Sequence, residues 1–172
     1  NALEEKERTQ QVEMRKGESL VEIDRTRYEV GADGKWTAID RRLSQNRLGK
    51  EQVQTDEQVY QRDVSGELSL SQQVKTSEWR DETGQMRLQS ETFGRKLDGK
   101  FRLDNRVTVV QKNLGNRGLE TTERIEARNA ASPGEGQRLV QSAVEKSQPL
   151  GPNQIQKGLE ILKPDLNGRM ER

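Results

Sequence analysis

The sequence contains no cysteine and no histidine. Without cysteine there is no disulfide framework and no thiolate metal site, and the redox compartment stays open. Apolar residues are also scarce, at 28% of 172 residues. Even with the 15 glycines added, the fraction falls short of the roughly 45–50% typical of globular domains. A thick hydrophobic core is therefore not expected. Apolar runs are short, far below the ~20 residues of a membrane-spanning helix, and no signal peptide is visible. If the protein is secreted, its signal has been removed or lies outside this stretch. Charge of one sign is missing too: 30 basic groups against 29 acidic ones leave a net of +1. No long-range field is available to attract nucleic acid or an anionic membrane. Aromatics, 3% of the chain, are too few for the two girdles of an outer-membrane barrel, and charges interrupt both faces of its segments.

Glycine carries the order that is present. Looking for internal repeats comes first, because a missed repeat misassigns the whole fold. One series, Gly34, Gly66, Gly99, Gly136 and Gly168, follows turn-forming residues such as Ala32-Asp33 and Leu97-Asp98. A second, Gly17, Gly49, Gly84, Gly118 and Gly151, falls about midway between members of the first. Each series has a period of roughly 33 residues, so the chain is expected to reverse about every 17. Asp-Gly and Asn-Gly are strong hairpin signals, since tight hairpin turns need positive φ, which glycine tolerates.

Between reversals the text alternates. After Gly99, Phe101, Leu103, Val107 and Val109 alternate with Arg102, Asp104, Arg106 and Thr108; after Gly66, Leu68, Leu70 and Val74 alternate with Ser69, Ser71 and Gln73. This period of two marks strands with one drier face. Asp40, Glu57, Gln72, Asn105, Glu123 and Lys157 break that face. The expected fold is all-β, an antiparallel up-and-down meander of about ten long strands, lying open as an extended sheet or closing into a thin-cored barrel. It forms a single repetitive domain over 1–172, with repeats at approximately 1–33, 34–65, 66–98, 99–135 and 136–167, and 168–172 starting another. Two stretches are ambiguous between strand and helix. In 154–162, Ile155, Leu159 and Leu162 also fit one helical face, and 1–16 opens with good helix formers. Joining the two ends would nearly restore the internal spacing. The chain is accordingly expected to be a segment of a longer array, or a subunit whose C-terminal stub pairs with the N-terminal strand of the next copy, a contact that does not close and builds fibres.

No residue pattern marks an enzyme. Asp33, Asp63, Asp98 and Asp165 recur once per repeat, but a calcium loop needs several oxygens close in sequence, which these turns lack. They are expected to cap the turns through side-chain to backbone hydrogen bonds. Carboxylate pairs for glycoside hydrolysis are unspecific among 29 acids. Glu91, Glu123 and Glu126 are instead assigned to cross-strand ion pairs with Arg87, Arg124, Arg128 or their neighbours. No catalytic residue, cofactor or metal ligand is assigned. The aromatics Tyr28, Trp36, Tyr60, Trp79, Phe93 and Phe101 lie near turns and strand ends. They either cover the driest parts of the sheet or form a partner-binding set.

Asp63-Val64-Ser65-Gly66-Glu67-Leu68 and Asp165-Leu166-Asn167-Gly168-Arg169-Met170 resemble the D-x-x-G-[RK]-[apolar] core of YD (Rhs-type) repeats, found in secreted bacterial β-hairpin shells and surface proteins. The match covers about six residues in each repeat. The tyrosine before the aspartate is missing and the period is longer than in that family. The resemblance implies a bacterial protein of the cell surface, extracellular space or periplasm. Repetition without a distinctive constellation in any one repeat suits a structural or adhesive protein that self-associates head to tail. A binding module for polysaccharide or a protein partner through one sheet face is the alternative, and a carboxylate hydrolase the next.

Overall fold

The computed structural model describes residues 7–115, 117–128, 136–152, 154–165 and 169–172. Within them the chain forms eleven strands and no helix. They are β1 (Glu7–Lys16), β2 (Leu20–Val30), β3 (Trp36–Leu48), β4 (Gln52–Arg62), β5 (Leu68–Arg80) and β6 (Met86–Arg95). These are followed by β7 (Phe101–Leu114), β8 (Gly118–Arg128), β9 (Gln137–Gly151), β10 (Gln154–Pro164) and the short β11 (Met170–Glu171). The sheet order is the chain order from β1 to β11. This is an up-and-down meander, and it is not closed into a barrel. The helical alternatives fail: Gln154–Pro164 and Glu7–Lys16 are both strands, while 1–6 lie outside the described residues.

Two compact units divide the backbone, Asn1–Lys75 with Thr92–Arg102, and Thr76–Glu91 with Leu103–Arg172. In the first, Thr26 stands opposite Arg41, and Arg41 opposite Tyr60. One residue, Ile39, is extra between the pairs Tyr28 with Ala38 and Arg27 with Asp40. In the second unit Val107 faces Ile125 and Ile125 faces Gln141, with Val140 extra just beyond. Both bulges fall shortly after a lattice glycine, Gly34 or Gly136, so the same irregularity occurs three repeats apart. A bulge locally raises strand twist and shifts the alternation of faces.

Alternation holds on either side of the bulges. Val107, Val109, Ile125, Ala143 and Ile161 lie on one face of β7–β10, while Arg106, Thr108, Lys112, Glu120 and Arg124 lie on the other. Glu123 interrupts the drier face between Val109 and Ala143. Among the described residues Val59 is the one buried apolar side chain. Cohesion therefore comes from ladder hydrogen bonds, half-buried rows and charge pairs across strands. Arg41 grips Asp24 with two hydrogen bonds of 3.0 and 2.6 Å. Arg27 meets Asp40 at 2.7 Å and Lys146 meets Glu120 at 2.9 Å. Exposed pairs of this kind, screened by solvent, each stabilise the sheet only weakly.

The reversals repeat a local design. At Gly31–Lys35, Asp63–Glu67, Asp81–Gln85 and Lys96–Lys100, the first N–H donates to the fifth carbonyl, and the fourth residue, glycine, donates back to the first carbonyl. Gly34, Gly66, Gly84 and Gly99 have φ between 74° and 87°, the left-handed position of a three-residue hairpin loop. Gly84 belongs to the second series yet uses the turn of the first. Gly17 and Gly136 also have positive φ at reversals. Gly49 precedes the loop closed by its own N–H donating to the Gln52 carbonyl. Gly118 opens β8 beside Arg117, which itself holds the positive φ of 62°. Gly151 ends β9, and Gly168 lies outside the described residues.

Candidate functional site

The turn aspartates act on backbone. Asp33 and Asp98 each accept a hydrogen bond from the amide two residues on, at 3.1 Å. Asp63 accepts from the amides of Ser65 and Glu67 and from the Ser65 hydroxyl. Asp165 accepts from the Arg169 amide at 2.7 Å. Asp81, which the sequence reading passed over, does the most. Its Oδ1 accepts from the Thr83 and Gln85 amides and the Thr83 hydroxyl, while its Oδ2 takes the Arg87 Nε at 2.6 Å. The signal was available, since Asp81-Glu82-Thr83-Gly84 matches Asp63-Val64-Ser65-Gly66 with one hydroxyl residue exchanged for another.

Hydrogen bonding lowers the ionisation range of three aspartates, Asp81, Asp63 and Asp24. The Thr83 hydroxyl and then Arg87 hold Asp81 well below the usual carboxylate range. The Ser65 hydroxyl lowers Asp63, and the Arg41 hydrogen bond lowers Asp24. These shifts keep carboxylates ionised, the direction opposite to that of a general acid in glycoside cleavage. Among the described residues no group of three or more Asp, Glu, His or Cys is placed to hold a metal ion.

Of the carboxylates assigned to ion pairs, Glu91 and Glu126 both meet Arg106, at 2.8 and 3.6 Å. Arg87 goes to Asp81 instead. Glu123 and Arg124 are adjacent in β8 and so point to opposite faces, which prevents their pairing.

The six aromatics do not form one platform. Arg8 lies between Tyr28 and Trp36, its guanidinium 4.9 and 4.7 Å from their ring centres. Those ring faces hold the edge strand β1 and are engaged within the chain. Tyr60 is on the same face, donating to Gln58 at 2.9 Å. Lys75 stands 5.8 Å from the Phe93 ring centre. Trp79 and Phe101 are half-buried in β5 and at the start of β7.

Two features remain available to partners. The first is the pair of outer strands. All ten residues of β1 are exposed, with Val12 at 51% and Met14 at 53%. On β10, Leu159 is 65% and Ile161 41% exposed, and β11 pairs only with Lys163 and Pro164. A hollow of about 500 Å³ lies over Gly158, bordered by Val144, Leu159, Ile161 and Arg172.

The second feature is a trough of about 320 Å³ on the polar face of β6–β8, lined by Arg87, Thr108, Lys112, Glu120, Thr122 and Arg124. Glu120 is neutralised by Lys146 and Arg87 by Asp81. Lys112 and Arg124 are exposed and have no ion-pair or hydrogen-bond partner among the described residues.

No family model matches the chain, and no curated protein does. Among solved structures, a protein of unknown function from Bacteroides fragilis is similar, with a TM-score of 0.48 and 16% identity. That likeness covers 85% of this chain and 94% of the other. No helix among the described residues is long and apolar enough to cross a membrane.

Proposed function

We propose that this chain is a structural, adhesive sheet module of the bacterial cell exterior that extends by head-to-tail pairing of β1 of one copy with β10 of the next. The observation that carries this reading is the state of the two outer strands. Each presents a long unpaired row of backbone groups and two apolar side chains spaced by two residues, Val12 and Met14 on β1, Leu159 and Ile161 on β10. An uncovered edge of this kind is a template for another strand. Because β10 runs antiparallel to β11, a β1 strand continuing the line of β11 also meets β10 antiparallel.

Sedimentation velocity over a wide concentration range tests the proposal. The wild-type chain should form progressively larger species, and Met14→Asp or Leu159→Asp should remain monomeric with an unchanged β-sheet circular dichroism spectrum. A wild-type monomer at every concentration contradicts it. The exterior location, supported by the turn resemblance, is tested separately by fractionating the cells that express the protein.

A further inference from the structure

We propose that the trough on β6–β8 binds the acidic groups of a polysaccharide, the carboxylates or sulfates of charged sugar units. This inference does not rest on head-to-tail assembly. Its basis is a local excess of positive charge in a chain that is otherwise almost neutral. Many cations of the sheet are paired with neighbouring carboxylates and many are not; in this trough both Arg87 and Glu120 are paired in that way. Lys112 and Arg124 are not, and they lie on one face of adjacent strands. Lys112 stands opposite Glu120, and Arg124 is four residues further along β8. At ~3.3 Å per residue their backbones are ~13 Å apart along the strands.

That separation suits repeated charges along a polymer better than one small anion. Between the two cations lie Thr122 and Val110, and Thr108 stands opposite Arg124 in the same trough; threonine hydroxyls both donate to and accept from sugar hydroxyls. No aromatic ring lines it, so the stacking that single-stranded nucleic acids use is missing. The net charge of +1 also removes general electrostatic attraction as an explanation for any binding observed.

Titration calorimetry with polygalacturonate, dextran, sodium sulfate and single-stranded DNA decides the matter. The wild-type chain should bind polygalacturonate and not dextran. Lys112→Gln combined with Arg124→Gln should weaken that binding about tenfold or more through loss of two charge-assisted contacts. Each single variant should fall between. Arg25→Gln, which removes another exposed arginine without an ion-pair partner in the first unit, should bind as the wild type does. All three positions are on the surface, and circular dichroism should show the same sheet in every variant. Absence of polygalacturonate binding, or binding unchanged in the double variant, overturns the proposal. So does inorganic sulfate binding as tightly as the polymer, which marks a small-anion site, or tighter binding of DNA.

Discussion

A side chain at a left-handed turn position works against the backbone whatever space surrounds it, and β-branched residues suffer most. Gly66 and Gly99 sit at φ of 87° and 76°. Replacing either with valine should cost about 1 kcal/mol or more, read as a lowered midpoint in chemical denaturation. Gly151→Ala is the contrast: its φ is not positive and a methyl group meets nothing within 4 Å, so its midpoint should hold or rise slightly. The turn carboxylates Asp63 and Asp81, together with Asp24 on β2, add a pH dependence. Asp24, Asp63 and Asp81 are held below their ordinary value of 3.8 when folded, so at acid pH the unfolded chain binds more protons. The stability they contribute is complete above that value and is lost as pH falls through their depressed values. Denaturation midpoints taken between about pH 6 and pH 2 should therefore drop steeply at the acid end. Asp63→Asn with Asp81→Asn should flatten the drop, and equal slopes in both proteins would remove these two turns as its source. Gly66 and Asp63 were legible because their chemistry is local, within five residues of sequence. The Arg106 pairs were not legible, because they join strands whose register no local pattern reports.

At the scale of the strand, β1 illustrates how an element without buried residues stays attached. It pairs with β2 along its whole length, and Arg8 adds a contact to two rings on β2 and β3. Cation–π contacts at exposed sites contribute about 0.5–1 kcal/mol. Arg8→Ala should thus speed amide exchange in β1 several-fold while leaving β3 and β4 unchanged. Uniform acceleration across all four strands would mean that Arg8 has no special hold on the edge. The strands themselves were readable from alternation and from turn glycines, since both are set by the chain's own geometry. The bulges at Ile39 and Val140 were hidden, because an extra residue leaves the composition of a strand unchanged and shows only against its partner. The strand-or-helix ambiguity of 154–162 has the same root: Ile155, Leu159 and Leu162 fit either period, and pairing with β9 decides.

At the scale of the molecule, an open meander has two outer strands, and many natural sheets protect such edges with charge, proline, bulges or brevity. β1 is long and carries Val12 and Met14 in its middle; β10 carries Leu159 and Ile161, with its proline only at the end. The glycine lattice made the meander legible, and the apolar shortage foretold a sheet with little interior. The trough was not legible, because Lys112 and Arg124 become neighbours only through the β7–β8 register, and their lack of partners depends on where every surrounding carboxylate goes. Amide hydrogen exchange of β1 and β10, followed at increasing protein concentration, tests the central claim most directly. In dilute solution both strands should exchange faster than β2 and β9, and as concentration rises their outward-facing amides should become protected together. Exchange in β1 and β10 that stays fast and independent of concentration would contradict the claim that these edges join one copy to the next.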